Sequence, residues 1–211
     1  MRIRKQYSIE MGHLVRNCSS ERCAFSQHGH SAIIEVILSA SALDNAGMVY
    51  DFGLMKGTIK QFIDSFDHCY VFWNKESDEF KDYIKKFNRR WIETNFNPTA
   101  ENLALFFHGW IEYILSKTGK HNNESPDLHV ASVIYHETAT GYAQTEYDDV
   151  DMIFDDSFKY NHISPRLKIS DVSEHVTKDW SNDLKSIMHP TSMDSDGAIV
   201  DNPFPFHQIE N

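Results

Sequence analysis

Residues 28–39 read HGHSAIIEVILS: two histidines flank a glycine and run straight into a segment rich in Ile and Val. β-branched side chains suit a pleated, half-buried surface, so the segment predicts a strand. Side chains two apart on a strand share a face, with Cα atoms about 6.5–7 Å apart. His28 and His30 therefore point the same way, and Gly29 between them lets a neighbouring strand pass closely. Arg2 to Glu10 alternates charged and larger residues and predicts an earlier strand. His13 ends it, as the hairpin partner of His28 and His30. Three neutral imidazoles leave a zinc ion one open position, the pattern of catalytic rather than structural sites. An HxH pair alone is a weak signal, and the alternative is a pair of solvated loop histidines.

The rest of the first 147 residues carries regular apolar patterns between turn signals. Asn17 to Gln27 is polar and predicts a loop; Asp44 to Gly47 (DNAG) predicts a turn. Asp51 is positioned to cap a helix running to about Ser65, with Leu54, Ile59, Phe62, Ile63 and Phe66 on one face. Asp78 to about Trp91 predicts a second, charged helix. Asn97-Pro98-Thr99 is a strong helix start, since Asn or Thr caps and Pro suits the first turn. That helix should run through Leu103, Phe106, Phe107, Trp110, Ile111 and Ile114 to near Thr118. Leu128 to Glu137 and Tyr142 to Tyr147 predict two more strands around Thr140-Gly141. The order strand, strand, helices, strand, strand points to an α+β fold with an antiparallel sheet.

Charge divides the chain. The formal net charge is -11, and the segment from Asp148 to Asn211 holds 13 acidic and five basic residues. A boundary near Tyr147 is therefore expected, with residues 1–147 as one domain and 148–211 as an acidic extension. The extension is too rich in large apolar groups (Phe154, Phe158, Ile163, Leu167, Trp180) for a purely solvated tail. Val172, Val176, Trp180, Leu184 and Ile187 recur every three or four residues and predict a helix over Asp171 to Met188, packed on the core or on a neighbouring subunit; the alternative is a disordered acidic extension. The acidity opposes general affinity for nucleic acid. No apolar run is long enough for a transmembrane helix, so no membrane partner is expected. Three cysteines and no secretory signal predict reduced thiols and a cytoplasmic location.

Three further features bear on chemistry. Cys23 lies five residues before His28, and positive charge nearby would favour its thiolate, a candidate base or nucleophile. It is equally a candidate fourth zinc ligand or a small buried residue, and Cys18 is a rival. In Asp67-His68 a carboxylate beside an imidazole suits proton transfer; the alternative is a helix-end histidine beside a capping acid. Glu137 at a strand end could accept two hydrogen bonds from an amidine-like ligand edge, or be simply solvated.

The segments MGH at 11–13, CAFSQHGHS at 23–31, GMVYDFGLMK at 47–56, FDH at 66–68, NPTAENLA at 97–104 and HETATGYA at 136–143 together resemble the 6-pyruvoyl-tetrahydropterin synthase and 6-carboxytetrahydropterin synthase family. The resemblance spans nearly all of residues 1 to 147. It implies the tunnelling fold: a four-stranded antiparallel sheet with two main helices, joined between subunits into a trimeric barrel, two trimers forming a homohexamer with active sites between subunits. It implies zinc on His13, His28 and His30, catalysis by Cys23, Asp67 and His68, and a pterin held by Glu137. The implied substrate is 7,8-dihydroneopterin triphosphate. The compact first motif favours the carboxy type, which yields 6-carboxy-5,6,7,8-tetrahydropterin, acetaldehyde and triphosphate for 7-deazaguanine and queuosine synthesis. The alternatives are the pyruvoyl type, which eliminates triphosphate, and a non-catalytic pterin- or zinc-binding module. The chain departs from the family in having Gly12 where Ala is usual, four residues between Cys23 and His28 where carboxy-type enzymes have three and pyruvoyl-type five, and an extension without counterpart.

Overall fold

The computed structural model describes residues 1–118, 121–156 and 163–188. Strands β1 (Arg2–His13) and β2 (His28–Ser39) form a long antiparallel hairpin in unbroken register, with Met11 opposite His30 and His13 opposite His28. Period-two alternation puts Tyr7, Ile9 and Met11 of β1 and Ala32, Ile34, Val36 and Leu38 of β2 on the buried face. The polar segment between the strands, expected as loop throughout, contains a five-residue helix α1 (Glu21–Phe25).

The turn at Asp44 forms as expected: its carboxylate accepts the amides of Ala46 and Met48, and Gly47 takes the left-handed φ of 79° that completes it. Asp51 does not cap a helix: its carboxylate accepts the Gly53 amide at 2.6 Å ahead of a single 3-10 turn over Leu54–Lys56, and Gly57 then separates that turn from α2 (Thr58–Asp64). The long helix α4 (Ala100–Lys117) starts where the sequence predicts, with the Thr99 side chain accepting the Asn102 amide. Its apolar residues pack with those of α2 on the sheet, so Phe62, Phe66, Phe106, Phe107 and Trp110 form one buried aromatic cluster.

The sheet is larger than the four antiparallel strands expected. Its order is β6-β5-β2-β1-β3-β4-β7, where β5 is His129–His136 and β6 is Tyr142–Glu146. The expected four strands form its first half. The second half adds β3 (Cys69–Trp73), β4 (Trp91–Thr94) and β7 (Ile169–Val172); β1–β3 and β3–β4 pair in parallel, and β4–β7 antiparallel. The sheet is therefore mixed. The reason these strands escaped pattern reading is physical. Parallel strands covered on both faces show continuous apolar runs, and crossover connections leave no hairpin turn signal. CYVFW is such a run. Val71 faces the main core, while Tyr70 and Phe72 face a second cluster with Leu14 and Ile84. Ile84 lies on helix α3 (Asp78–Phe87), which covers that second face and ends before Trp91 because Trp91–Thr94 is strand.

The described part of the extension joins the same structure. After a short helix α5 (Val150–Ile153), β7 extends the sheet, and α6 (Glu174–Thr177) and α7 (Asn182–Met188) follow. The expected single helix over Asp171 to Met188 is thus broken into a strand and two short helices. Val172, Val176, Trp180, Leu184 and Met188 all reach the main core. Phe158 and residues 189–211 lie outside the described residues. Among the described residues no helix is long and apolar enough to cross a membrane.

Candidate functional site

Where β1 and β2 run side by side at their histidine-bearing ends, three imidazoles meet. The ring centroids of His13, His28 and His30 lie 4.7, 5.0 and 5.1 Å apart, and one ligand nitrogen of each lies within 4.8 Å of the others. The register accounts for this. His13 is directly opposite His28, and His30 follows two residues along the same face. A Cβ at Gly29 would meet the Met11 carbonyl oxygen at 3.0 Å, so the close passage of the strands at the triad favours glycine there. Gly12, where the resemblance leads one to expect Ala, has the same kind of cause: an added Cβ would meet the Tyr70 ring at 3.0 Å.

The hydrogen bonds of the rings fix which nitrogens are free. His13 Nδ1 lies 2.9 Å from the Pro98 carbonyl oxygen, and His28 Nδ1 lies 2.9 Å from that of Ser26. A carbonyl oxygen only accepts, so Nδ1 carries the proton in both rings and Nε2 presents a lone pair. Such a backbone partner is what orients a metal-binding imidazole. The Nε2 atoms of His13 and His30 are buried without a hydrogen-bond partner among the described residues. Buried polar atoms are normally paired, so two orphaned ring nitrogens beside a third imidazole fit a cation. His13 is held neutral: burial, with the neighbouring His28 and His30 rings, pushes its pKa down to about 4. A neutral imidazole is the metal-binding form. Glu137 follows β5, and its Oε1 lies 3.7 Å from Nε2 of both His13 and His30. That is beyond hydrogen-bond reach.

Asp67 and His68 sit at the end of the turn after α2, and Asp67 Oδ2 lies 2.9 Å from His68 Nδ1. Burial pushes the Asp67 carboxyl up, but hydrogen bonds from the Glu10 amide and His68, with the charges of His68 and Arg90, outweigh it and hold the pKa below the usual carboxylate value. His68 shares an open depression of about 520 Å³ with Gly12, His28, Gly29, His30 and Ser31. No contact joins its ring directly to the triad among the described residues. Cys23 lies on α1, where its carbonyl accepts the Val15 amide at 3.0 Å. Its sulfur is not in the group of convergent ligand atoms, so a closed four-ligand centre is not formed by this chain's described residues. Arg16 is a neighbour that sequence reasoning passed over. Its guanidinium grips Glu76 at 2.7 and 2.8 Å and donates to the Ala24 carbonyl at 2.6 Å, tying down the α1 segment. Nothing local in the sequence pairs residues 16 and 76.

A family model for 6-pyruvoyl tetrahydropterin synthase matches residues 2–148. The chain belongs to that family. It is 43% identical over 162 residues to the 6-carboxy-5,6,7,8-tetrahydropterin synthase of Helicobacter pylori strain J99, spanning 77% of this chain and 80% of that protein. The protein of the same name from Aquifex aeolicus is 32% identical over 120 residues, 56% of this chain and 72% of that one. Among solved structures, an uncharacterised protein from Wolinella succinogenes shares the fold, with a TM-score of 0.51 and 20% identity over 70% of this chain and 98% of that one. The family's tunnelling fold is thus the frame of the first half of the sheet. The histidine triad and Glu137 fall inside the matched residues, as do Cys23, Asp67 and His68.

Proposed function

We propose that this chain is a zinc-dependent 6-carboxy-5,6,7,8-tetrahydropterin synthase. It would act on 7,8-dihydroneopterin triphosphate and release acetaldehyde and triphosphate, a step toward 7-deazaguanine and queuosine. The observation that carries the chemistry is the convergence of three imidazoles, two of them with an orphaned, buried nitrogen; the choice of product follows the name borne by the relatives at 43% and 42% identity. His13, His28 and His30 hold the ion in this reading. Zinc so held supplies Lewis acidity that makes hydroxyl and adjacent C–H protons of a bound side chain easier to remove. Cys23, as thiolate, takes such a proton, and His68, oriented by Asp67, passes protons on. Glu137 accepts hydrogen bonds from the amidine-like edge of the pterin and so sets the substrate beside the triad.

Residues 1–147 form the pterin-synthase unit in this reading and 148–211 its extension. The assembly is a homohexamer of two trimeric barrels. In support, β1 pairs with β3 only over Met11–His13, leaving its edge from Arg2 to Glu10 without a strand partner among the described residues. An open edge that long is a liability that ring closure removes. Free thiols at Cys18, Cys23 and Cys69 agree with a cytoplasmic setting.

Incubating the zinc-loaded protein with 7,8-dihydroneopterin triphosphate and identifying products by mass spectrometry tests the reading. 6-Carboxy-5,6,7,8-tetrahydropterin with acetaldehyde is the expected result. A product that keeps the three-carbon side chain would assign the pyruvoyl type, and unconsumed substrate would leave a binding module.

A further inference from the structure

We propose that the C-terminal extension is a positioning element for the Asp67–His68 pair, acting through Arg90 and Trp180 on the turn that carries it; the proposal rests on the proton-transfer reading of that pair. Helix α2 ends at Asp64, and the last carbonyls of a helix have no partner inside it. Arg90, just before β4, supplies one. Its Nη2 donates to the carbonyls of Asp64 and Ser65 at 3.4 and 3.3 Å, and its Nε to that of Asp67 at 3.0 Å. The same guanidinium donates from Nη1 to the extension, at 3.0 Å to the His175 carbonyl and 2.9 Å to Asp179 Oδ2. A planar fork holds several acceptors in fixed relation, and cations are favoured at helix C-termini.

Two more bonds run from the extension to the same helix end. Trp180, 4% exposed, donates its indole N–H to Ser65 Oγ at 2.7 Å, and the Ser181 amide donates to Gln61 Oε1 at 3.2 Å. The turn so gripped ends on His68, whose φ of 57° is in the left-handed region. A non-glycine residue there is strained and persists when its surroundings over-determine it. Its amide donates to the Glu10 carbonyl at 2.6 Å, and the Glu10 amide donates to Asp67 Oδ1 at 2.8 Å. The His68 side chain is 72% exposed, so packing does not hold it. Its place is set by the path of the backbone from 64 to 68, and residues 175 to 181 grip that path.

The test uses the full-length, zinc-loaded chain. Trp180→Phe keeps an aromatic ring but deletes the N–H, and Arg90→Lys keeps the charge but loses the fork. Each should lower kcat about 5- to 30-fold, less than the 10²-fold that a full 1 Å misplacement costs. KM and zinc content should stay at wild-type values, and amide exchange across residues 64–68 should quicken. Trp180→Phe combined with Ser65→Ala should be no worse than Ser65→Ala alone, since that change already removes the Trp180 bond along with the one the Ser65 hydroxyl donates to the Gln61 carbonyl. Asp171→Asn, on the same extension but bonded to Lys85, should leave kcat unchanged. Wild-type kcat in both Trp180→Phe and Arg90→Lys, or an equal fall in Asp171→Asn, overturns the proposal. His68→Gln separates the two readings. Wild-type kcat in that variant sinks the proton-transfer role itself, whereas a dead His68→Gln beside unchanged exchange at 64–68 in Trp180→Phe sinks the positioning role alone.

Discussion

The histidine triad stands on two long neighbouring strands whose pairing runs unbroken from Arg2 opposite Ser39 to His13 opposite His28. The Asp67–His68 pair stands on a short turn whose carbonyls are held by Arg90 and whose Ser65 hydroxyl is held by Trp180. In the first region the backbone ladder places the functional groups, and one carbonyl each, that of Pro98 for His13 and that of Ser26 for His28, sets the tautomer. In the second, side chains from distant parts of the sequence do the placing. A ladder is cooperative and tolerates loss of any one contact. A turn gripped by a few side chains does not. The first region should therefore fail through its ligands and the second through its supports.

The largest effect is expected at the ligands. His28→Ala or His30→Ala should lose zinc and turnover together, by on the order of 10³-fold or more, beyond the 10- to 100-fold typical of outer partners of a metal site. Elemental analysis showing full zinc in both variants would sink the ligand assignment. Next comes chemistry without metal loss. Asp67→Asn and Cys23→Ala should keep zinc yet lose about 10²- to 10⁴-fold in turnover, while Cys18→Ala stays near wild type. A dead Cys18→Ala with an active Cys23→Ala would mean the thiol had been assigned to the wrong cysteine.

The smallest effect concerns stability. Under the first half of the sheet His108 is fully buried, with Nδ1 at 2.9 Å from Thr145 Oγ1 and Nε2 at 3.1 Å from the Val130 carbonyl. Burial, with a smaller contribution from His129, pushes its pKa down to about 4 against an upward pull from the Val130 bond and Asp149. A histidine depressed in the folded state binds its proton more readily when unfolded. Its contribution is therefore present above about pH 6.5, the unfolded value, and is lost as pH falls toward 4. Urea unfolding should show His108→Gln losing less stability than wild type between pH 7 and pH 5, by roughly 1–2 kcal/mol at 1.36 kcal/mol per unit. An identical acid limb in both proteins would place the sensitivity elsewhere.

The parts legible in the sequence are those whose cause is local and periodic. Alternation over residues 28–39 determined strand β2 and put His28 and His30 on one face; Asn97-Pro98-Thr99 determined the start of α4; DNAG determined the turn that Gly47 completes. Each depends on neighbours within a few residues, so the chain carries the information where the structure uses it. The tertiary structure alone decided what depends on distant partners. CYVFW became a central parallel strand because β1 and β4 flank it and α3 covers its second face. The apolar series from Val172 to Met188 became a strand and two short helices because β4 offered an edge to pair with, which outweighed the helical spacing. Gly12 answers to the Tyr70 ring, and the lone pair of His13 to the carbonyl of Pro98. Periodicity records which face of an element is buried. It does not record which remote group lies against that face, because the contact arises only when the chain closes on itself.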